Sequence, residues 1–224
     1  MNYNRFLELS EEFGEFIKSL HALYLDSVIG FITLHRSLIE HRNQMKSILG
    51  KSELSNDEFQ DQCLLDYKGL CGEEFHLEST DIFMTQKEVR ERTIYNGTNY
   101  ILMGRLCVVQ AYTYWETYLR KEIAIALGVL DSKVHTKQGE IEKIFKKNVS
   151  INFWGDMGQL RQAIIHHKGI ATPNFNKMKL LTWFKPGESV NLDFNKMKVV
   201  FETMADFRNC LAVLSLPPHN SKFP

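Results

Sequence analysis

From Arg5 to about Leu49, apolar side chains recur every three or four residues: Leu9, Phe13, Phe16, Leu20, Leu23, Val28, Phe31, Ile32 and Leu38. That period is the spacing of one helix face, and Gly14 and Gly30 are the only weak interior positions. The run predicts a long amphipathic helix, or two in tandem. A stripe of that length has to be covered, and the rest of the chain offers helices to cover it. Ser55-Asn-Asp-Glu58 and Thr85-Gln-Lys-Glu88 both have capping-box form, so helices are expected to start there. From Thr85 to about Leu127 no proline intervenes, and Arg105, Val109, Tyr112, Glu116, Leu119 and Ile123 step along one face. Unbroken, that helix would reach about 60 Å, with Gly97 and Gly104 as its weak points.

A shorter helix fits residues 139–147, and another runs from about Phe153 to Lys168, with Gly169 placed as its left-handed cap. In residues 180–192, Pro186-Gly187 reads as a turn between two short extended pieces, so a small hairpin or loop is expected. A last helix over about 193–214 carries Val199, Val200, Met204, Phe207 and Leu211 on one stripe, and Pro217-Pro218 stops it. The expectation is an all-α protein, a single helical domain over residues 1–224, with the acidic region 50–84 as the place for an insertion.

Composition narrows the function classes. The 224 residues are 44% hydrophobic and 24% charged, a balance that excludes a disordered, collagenous or coiled-coil chain. No stretch approaches the roughly 18 to 20 consecutive apolar residues of a membrane helix, and acids stand where a secretion signal is basic and then apolar. A cytoplasmic protein with no membrane partner is therefore expected. Charge is uneven: residues 1–130 hold 13 basic and 19 acidic side chains, and residues 131–224 hold 14 and 8. The basic second part could face a polyanion, and two differently solvated surfaces would give the same asymmetry. Cys63, Cys71, Cys107 and Cys210 show neither Cys-x-x-Cys nor zinc-finger spacing, so no metal or other cofactor is expected.

The segment that carries chemistry is Arg161-Gln162-Ala163-Ile164-Ile165-His166-His167-Lys168-Gly169. Taking Arg161 as zero on a helical wheel, Gln162 falls at about 100° and His166 at about 140°, while Met157, Leu160 and Ile164 fall between about −40° and −100°. A polar arc lies beside a buried ridge, and His167 lands beyond that ridge. Arg36 to His41 repeats the Arg-x4-His spacing, but its helical pattern runs on, whereas the helix after Arg161 stops and leaves His166 near a terminus. The segment resembles the Arg-x4–6-His motif of the HEPN superfamily, helical domains that include many metal-independent endoribonucleases. Tyr112-Thr-Tyr-Trp-Glu116-Thr-Tyr-Leu is similar to an earlier family helix that carries a glutamate in an aromatic stretch. The resemblance spans about residues 85–214 and leaves about 1–84 as an N-terminal helical extension.

The resemblance implies a HEPN-like bundle of long antiparallel helices that cleaves RNA through its own 2′-hydroxyl to a 2′,3′-cyclic phosphate. His166 would act as general base or acid, with His167 in reserve. Arg161 would clamp the phosphate, Gln162 would orient a polar group, and Glu116 would hold Arg161 or a partner group. These side chains suit the chemistry: imidazole exchanges a proton near neutrality, and guanidinium presents a forked cation to a phosphorane. The resemblance further implies RNA as partner, a homodimer whose paired motifs form one cleft, an antitoxin or regulatory protein, and a role in phage defence or a toxin–antitoxin system. Gln162 stands where asparagine, aspartate or histidine is more usual in the family. Plainer roles exist for each residue: Glu116 can pair with Arg120 one turn on, and His166 and His167 can cap the helix dipole. A non-catalytic scaffold for dimerisation or protein binding, or a small-ligand-binding bundle, would use the residues in those ways.

Overall fold

The N-terminal apolar period holds without interruption, and Tyr3–Leu49 form one helix, α1, that neither Gly14 nor Gly30 breaks. The structure is a computed structural model and describes residues 2–50, 53–65, 84–128 and 152–215. Helix α2 (Asp57–Gln62) starts one residue later than its capping pattern suggested, because Asn56 rather than Ser55 caps it by accepting from the Glu58 amide. Two short strands, β1 (Leu64–Leu65) and β2 (Met84–Thr85), pair antiparallel with Leu64 opposite Thr85. Thr85 then caps α3 (Gln86–Thr93) in the reciprocal bonding with Glu88 that its sequence pattern predicts.

The long run after Thr85 is not one rod. Asn96 has φ 59°, and a Cβ at Gly97 would lie 2.7–2.9 Å from three backbone carbonyl oxygens. The break falls there, and α4 (Thr98–Tyr114) resumes beyond it. Gly104 leaves α4 unbroken; its missing side chain admits the Leu192 carbonyl, which would sit 2.6 Å from a Cβ. After Tyr114 the chain makes one π-helical turn, Trp115–Leu119, before α5 (Arg120–Ala126). Helix α6 (Asn152–His166), α7 (Phe194–Leu214, capped by Asp193) and two 3-10 turns, Glu53–Ser55 before α2 and Pro173–Lys177 after α6, complete the described elements. The helix expected over 139–147, the Pro217-Pro218 stop and Cys71 lie outside the described residues. Among the described residues the fold is all-α apart from the two-residue strands. Of the described helices, α1 alone is long and apolar enough to cross a membrane by length and composition.

Residues up to Ala22 and from Gly104 onward form one compact unit, and Leu23–Met103 form a second. This division falls inside α1 and α4. In the first unit the core is aromatic. Trp115 stacks on Trp154 at 4.6 Å and 4°, Phe207 meets both rings edge-on at 5.6 Å, and Phe13 packs 6.0 Å from Trp154. Met157, Leu160, Val200, Met204 and Leu211 are buried around them, whereas Val199 is exposed. Arg5 ties α1 to the π turn and α5 by donating to Tyr118 and Glu122. In the second unit Leu38, Leu65 and Val89 form a small core against Leu34 and Met84. Beside it the buried Arg42 pairs with Asp57 and Asp61, and Arg90 shares Asp61.

The 180–192 segment turns at Pro186-Gly187, with Gly187 at φ 90°. The turn pairs with the stretch that follows α6: the Ala171 amide donates to the Glu188 carbonyl, Gly187 to Ala171, and Val190 to Gly169. The same segment is anchored upstream by a buried carboxylate. Asp156, 4% exposed on α6, accepts from the amides of Lys179, Leu180 and Leu181 at 2.6–3.1 Å. These three donors have no strand to bond, and one carboxylate satisfies them together.

Two outcomes follow. Asp156→Ala leaves three amides without their acceptor, that of the buried Leu181 among them, and should lower unfolding free energy by about 1–3 kcal/mol in urea titrations. Asp61 is held below the usual carboxylate range first by its hydrogen bond with Arg42 and further by Arg90. A depressed carboxylate adds stability that is complete above its unfolded value of about 3.9 and is lost as pH falls through its folded value. Asp61→Asn should therefore lose stability at pH 7 and show a flatter acid limb than the natural chain in unfolding measured from pH 7 to pH 2.

Candidate active site

Three contacts set helix α6 against the α4–π-turn segment. Trp115 stacks on Trp154, the Tyr112 ring closes on Gly158, where a Cβ would lie 3.1 Å away, and the Arg105 guanidinium lies over Gly169, where a Cβ would lie 2.6 Å away. As residue number rises on one element it falls on the other, so the two run antiparallel. The C-terminal end of α6 thereby lies beside Arg105. There the Ala163 carbonyl accepts from both the His167 and the Gly169 amides, and the Ile170 amide donates to the His167 carbonyl. Lys168 and Gly169 both take left-handed backbone, at φ 53° and 75°. A Schellman-type cap of this form ends the helix abruptly, and His166 is its last residue.

That ending decides what His166 can touch. Residues five apart on a helix stand about 140° apart, yet the Arg161 Nη1 lies 3.5 Å from His166 Nε2. Arg161 is half-buried on the side of its Nε, which has no hydrogen-bond partner, and its far end emerges beside the exposed imidazole. With the guanidinium N–H as donor, Nε2 is the acceptor, the form in which imidazole takes a proton. Gln162, His166, His167, Lys168, Thr172 and Asn174 line a cleft of about 630 Å³ at this end of the helix, within the size range of small-molecule and nucleotide sites.

Arg161 and His166 are thus brought together, Gln162 and His166 share the cleft that Arg161 itself does not line, and His167 lines it too because it lies past the helix end, where the wheel no longer applies. Glu116 stands elsewhere. It lies on the π turn next to Trp115, level with Trp154, about 10 Å along α6 from Arg161. Phe153 and Trp154 are core residues. Lys168, Lys177 and Lys179 are exposed, and Lys177 donates to the Asn174 side-chain carbonyl; Lys143, Lys146 and Lys147 lie outside the described residues. The second Arg-x4-His spacing has a different setting: Arg36 and His41 sit in mid-helix on α1 with no hydrogen bond between them.

Two features at the site were not singled out from sequence. Arg105, which there reads as one more position on a helix face, donates from Nε to the Val190 carbonyl at 2.9 Å and from Nη2 to Ser189. It so clamps the 189–190 stretch to the end of α6, and burial pulls its guanidinium below the ordinary value. Asp156 anchors the following residues, and nothing in its local sequence distinguishes it from a surface aspartate. Cys107 is buried and its thiol is pushed up to about 12, which makes it a core residue rather than a nucleophile. Among the described residues no three His, Cys, Asp or Glu side chains gather to hold a metal ion. Comparison with protein-family models, curated proteins and solved structures finds no match for the chain.

The cap can be tested from both sides. Lys168→Gly removes a left-handed non-glycine residue and should raise stability by about 1 kcal/mol. Gly169→Ala should lower stability, because its Cβ meets both a left-handed backbone and the Arg105 guanidinium. Chemical denaturation of the two variants beside the natural chain checks both signs.

Proposed function

We propose that this chain is a metal-independent endoribonuclease of the HEPN type, with Arg161 and His166 as its reacting pair. The observation that carries the reading is the 3.5 Å approach of Arg161 Nη1 to an exposed His166 Nε2 at a helix end, beside a cleft. RNA cleavage of this class needs a base to take the 2′-hydroxyl proton, a cation for the charge that develops on phosphorus, and an acid for the leaving 5′-oxygen. His166 takes the proton as O2′ attacks phosphorus. Arg161 turns its N–H groups from the imidazole to the phosphoryl oxygens, and the equivalent imidazole of a second copy protonates the 5′-oxygen as its bond to phosphorus breaks. The product is a 2′,3′-cyclic phosphate and a free 5′-hydroxyl. Gln162 borders the same cleft and suits contact with the ribose or phosphate. Glu116, at the other end of α6, acts in this scheme only through the packing of the π turn.

The reading includes a homodimer that faces two such pairs across one cleft, a cytoplasmic setting, and control by an antitoxin or regulatory protein in phage defence or a toxin–antitoxin system. A second reading, a non-catalytic HEPN-like scaffold, is favoured by Ile165 and Ile170, which flank the pair and are 45% and 42% exposed. Both would be covered at a protein interface.

Incubation with end-labelled single-stranded RNA and tRNA in EDTA, resolved on denaturing gels, separates the two. The nuclease reading expects cyclic-phosphate ends, a loss of about 100-fold or more for His166→Ala and for Arg161→Ala, and unchanged cutting by His41→Ala. RNA left intact by every form would set the nuclease aside in favour of the scaffold.

A further inference from the structure

The unit formed by Leu23–Met103 has a cleft of its own, of about 460 Å³, between the middle of α1 and the α3–α4 junction. Its walls combine three chemistries. Ile32, Ile39 and Tyr95 supply apolar and aromatic surface, and Ile32 and Tyr95 are 40% and 59% exposed. Arg36 and Glu40 supply opposite charges. They are i,i+4 neighbours on α1, a spacing at which such side chains commonly pair, yet among the described residues neither forms an ion pair. Tyr100 supplies the third, a fully buried aromatic floor beneath the cleft.

The remaining contacts hold these groups in place. His35 Nδ1 lies 3.2 Å from the Thr93 hydroxyl, which itself donates to the Val89 carbonyl at 2.7 Å. Phe31 and Tyr95 pack on Tyr100 at ring distances of 5.5 and 5.9 Å, tilted and edge-on, an arrangement that accepts a further ring at its border. A cation and an anion one helical turn apart, unpaired with each other and set over an apolar wall, match a ligand that carries both charges on one carbon. A carboxylate suits the planar fork of Arg36 and an ammonium suits Glu40. The ligand's side chain would then lie along Ile32, Ile39 and Tyr95.

We propose that this cleft binds a free aromatic α-amino acid. The site is independent of the Arg161–His166 pair and does not rest on the nuclease reading.

Calorimetric titration of the full chain tests it, with L-phenylalanine, L-tyrosine, phenethylamine, 3-phenylpropionate and AMP as probes. Saturable binding of both amino acids is expected. Phenethylamine lacks the carboxylate and 3-phenylpropionate the ammonium, so each should bind at least tenfold more weakly. Arg36→Gln and Glu40→Gln change exposed side chains and should each weaken L-phenylalanine at least tenfold, whereas Arg161→Ala should bind it like the natural chain. The proposal is overturned if neither amino acid binds at millimolar concentration, if the Arg36 and Glu40 variants bind as the natural chain does, or if AMP occupies these residues in their place.

Discussion

The indole rings of Trp115 and Trp154 lie 4.6 Å apart and within 4° of parallel, and the register of the first unit depends on that contact. It fixes α6 against the α4–π-turn segment at one point, and two close approaches extend the register: Tyr112 over Gly158 and Arg105 over Gly169. A Cβ would crowd the Tyr112 ring at Gly158 by a few tenths of an ångström and would press on the Arg105 guanidinium at Gly169. A shift of one residue along α6 would place a Cβ beneath the Tyr112 or Arg105 side chain. The π turn at Trp115–Leu119 belongs to the same arrangement, since its extra residue changes the phase of the helix as it passes from the Trp115 contact to Leu119 and Ile123. Phe13 and Phe207 close the cluster from α1 and α7.

Where α6 stops matters as much as where it packs. The helix ends because the Ala163 carbonyl takes two donors and two successive residues turn left-handed, one of them a lysine. A non-glycine residue in that region is strained by about 1–2 kcal/mol, and the bonds of the cap and the Arg105 clamp hold it there. The strain sits beside an exposed imidazole, an arginine and a cleft, which is where strained backbone concentrates in proteins that use it. Arg105 and Asp156 act on the same stretch from two sides. Arg105 binds residues 189–190, which pair with the 169–171 edge of the cleft, and Asp156 binds residues 179–181, so the segment after α6 is tied down by side chains where regular strands are lacking.

Much of this was legible in the sequence because period and caps are local signals. The α1 stripe, the Thr85–Glu88 box, the Gly169 cap and the Asp193–Leu214 helix each depend on residues within a few positions of one another, and each formed close to where its pattern put it. The break at Asn96-Gly97 was signalled only as a weak glycine, because what forces it is the crowding of three carbonyl oxygens around Gly97, a property of the folded turn. Gly104 carried the same signal and meant the opposite, close passage of another chain segment through an unbroken helix. That Arg161, Gln162 and His166 share a polar arc near a helix end was readable from spacing and the helix stop, whereas the 3.5 Å approach of Arg161 to His166 arises where the abrupt cap ends the helix. The roles of Arg105 and Asp156 were not readable, since their partners lie 20 or more residues away and an isolated arginine or aspartate carries no mark of them. Glu116 shows the limit of a wheel drawn through a π turn, where a regular 100° step no longer holds.

The most direct test of the central claim, that the end of α6 presents Arg161 and His166 as one phosphate-binding pair, is a titration that does not depend on turnover. The imidazole ¹⁵N resonances of His166 and the guanidinium resonances of Arg161 would be followed as single-stranded RNA bearing 2′-O-methyl groups, which cannot cyclise, is added. The account predicts that both sets move together and saturate at one RNA concentration while those of His41 stay fixed. RNA that binds and leaves the His166 and Arg161 resonances in place would contradict it.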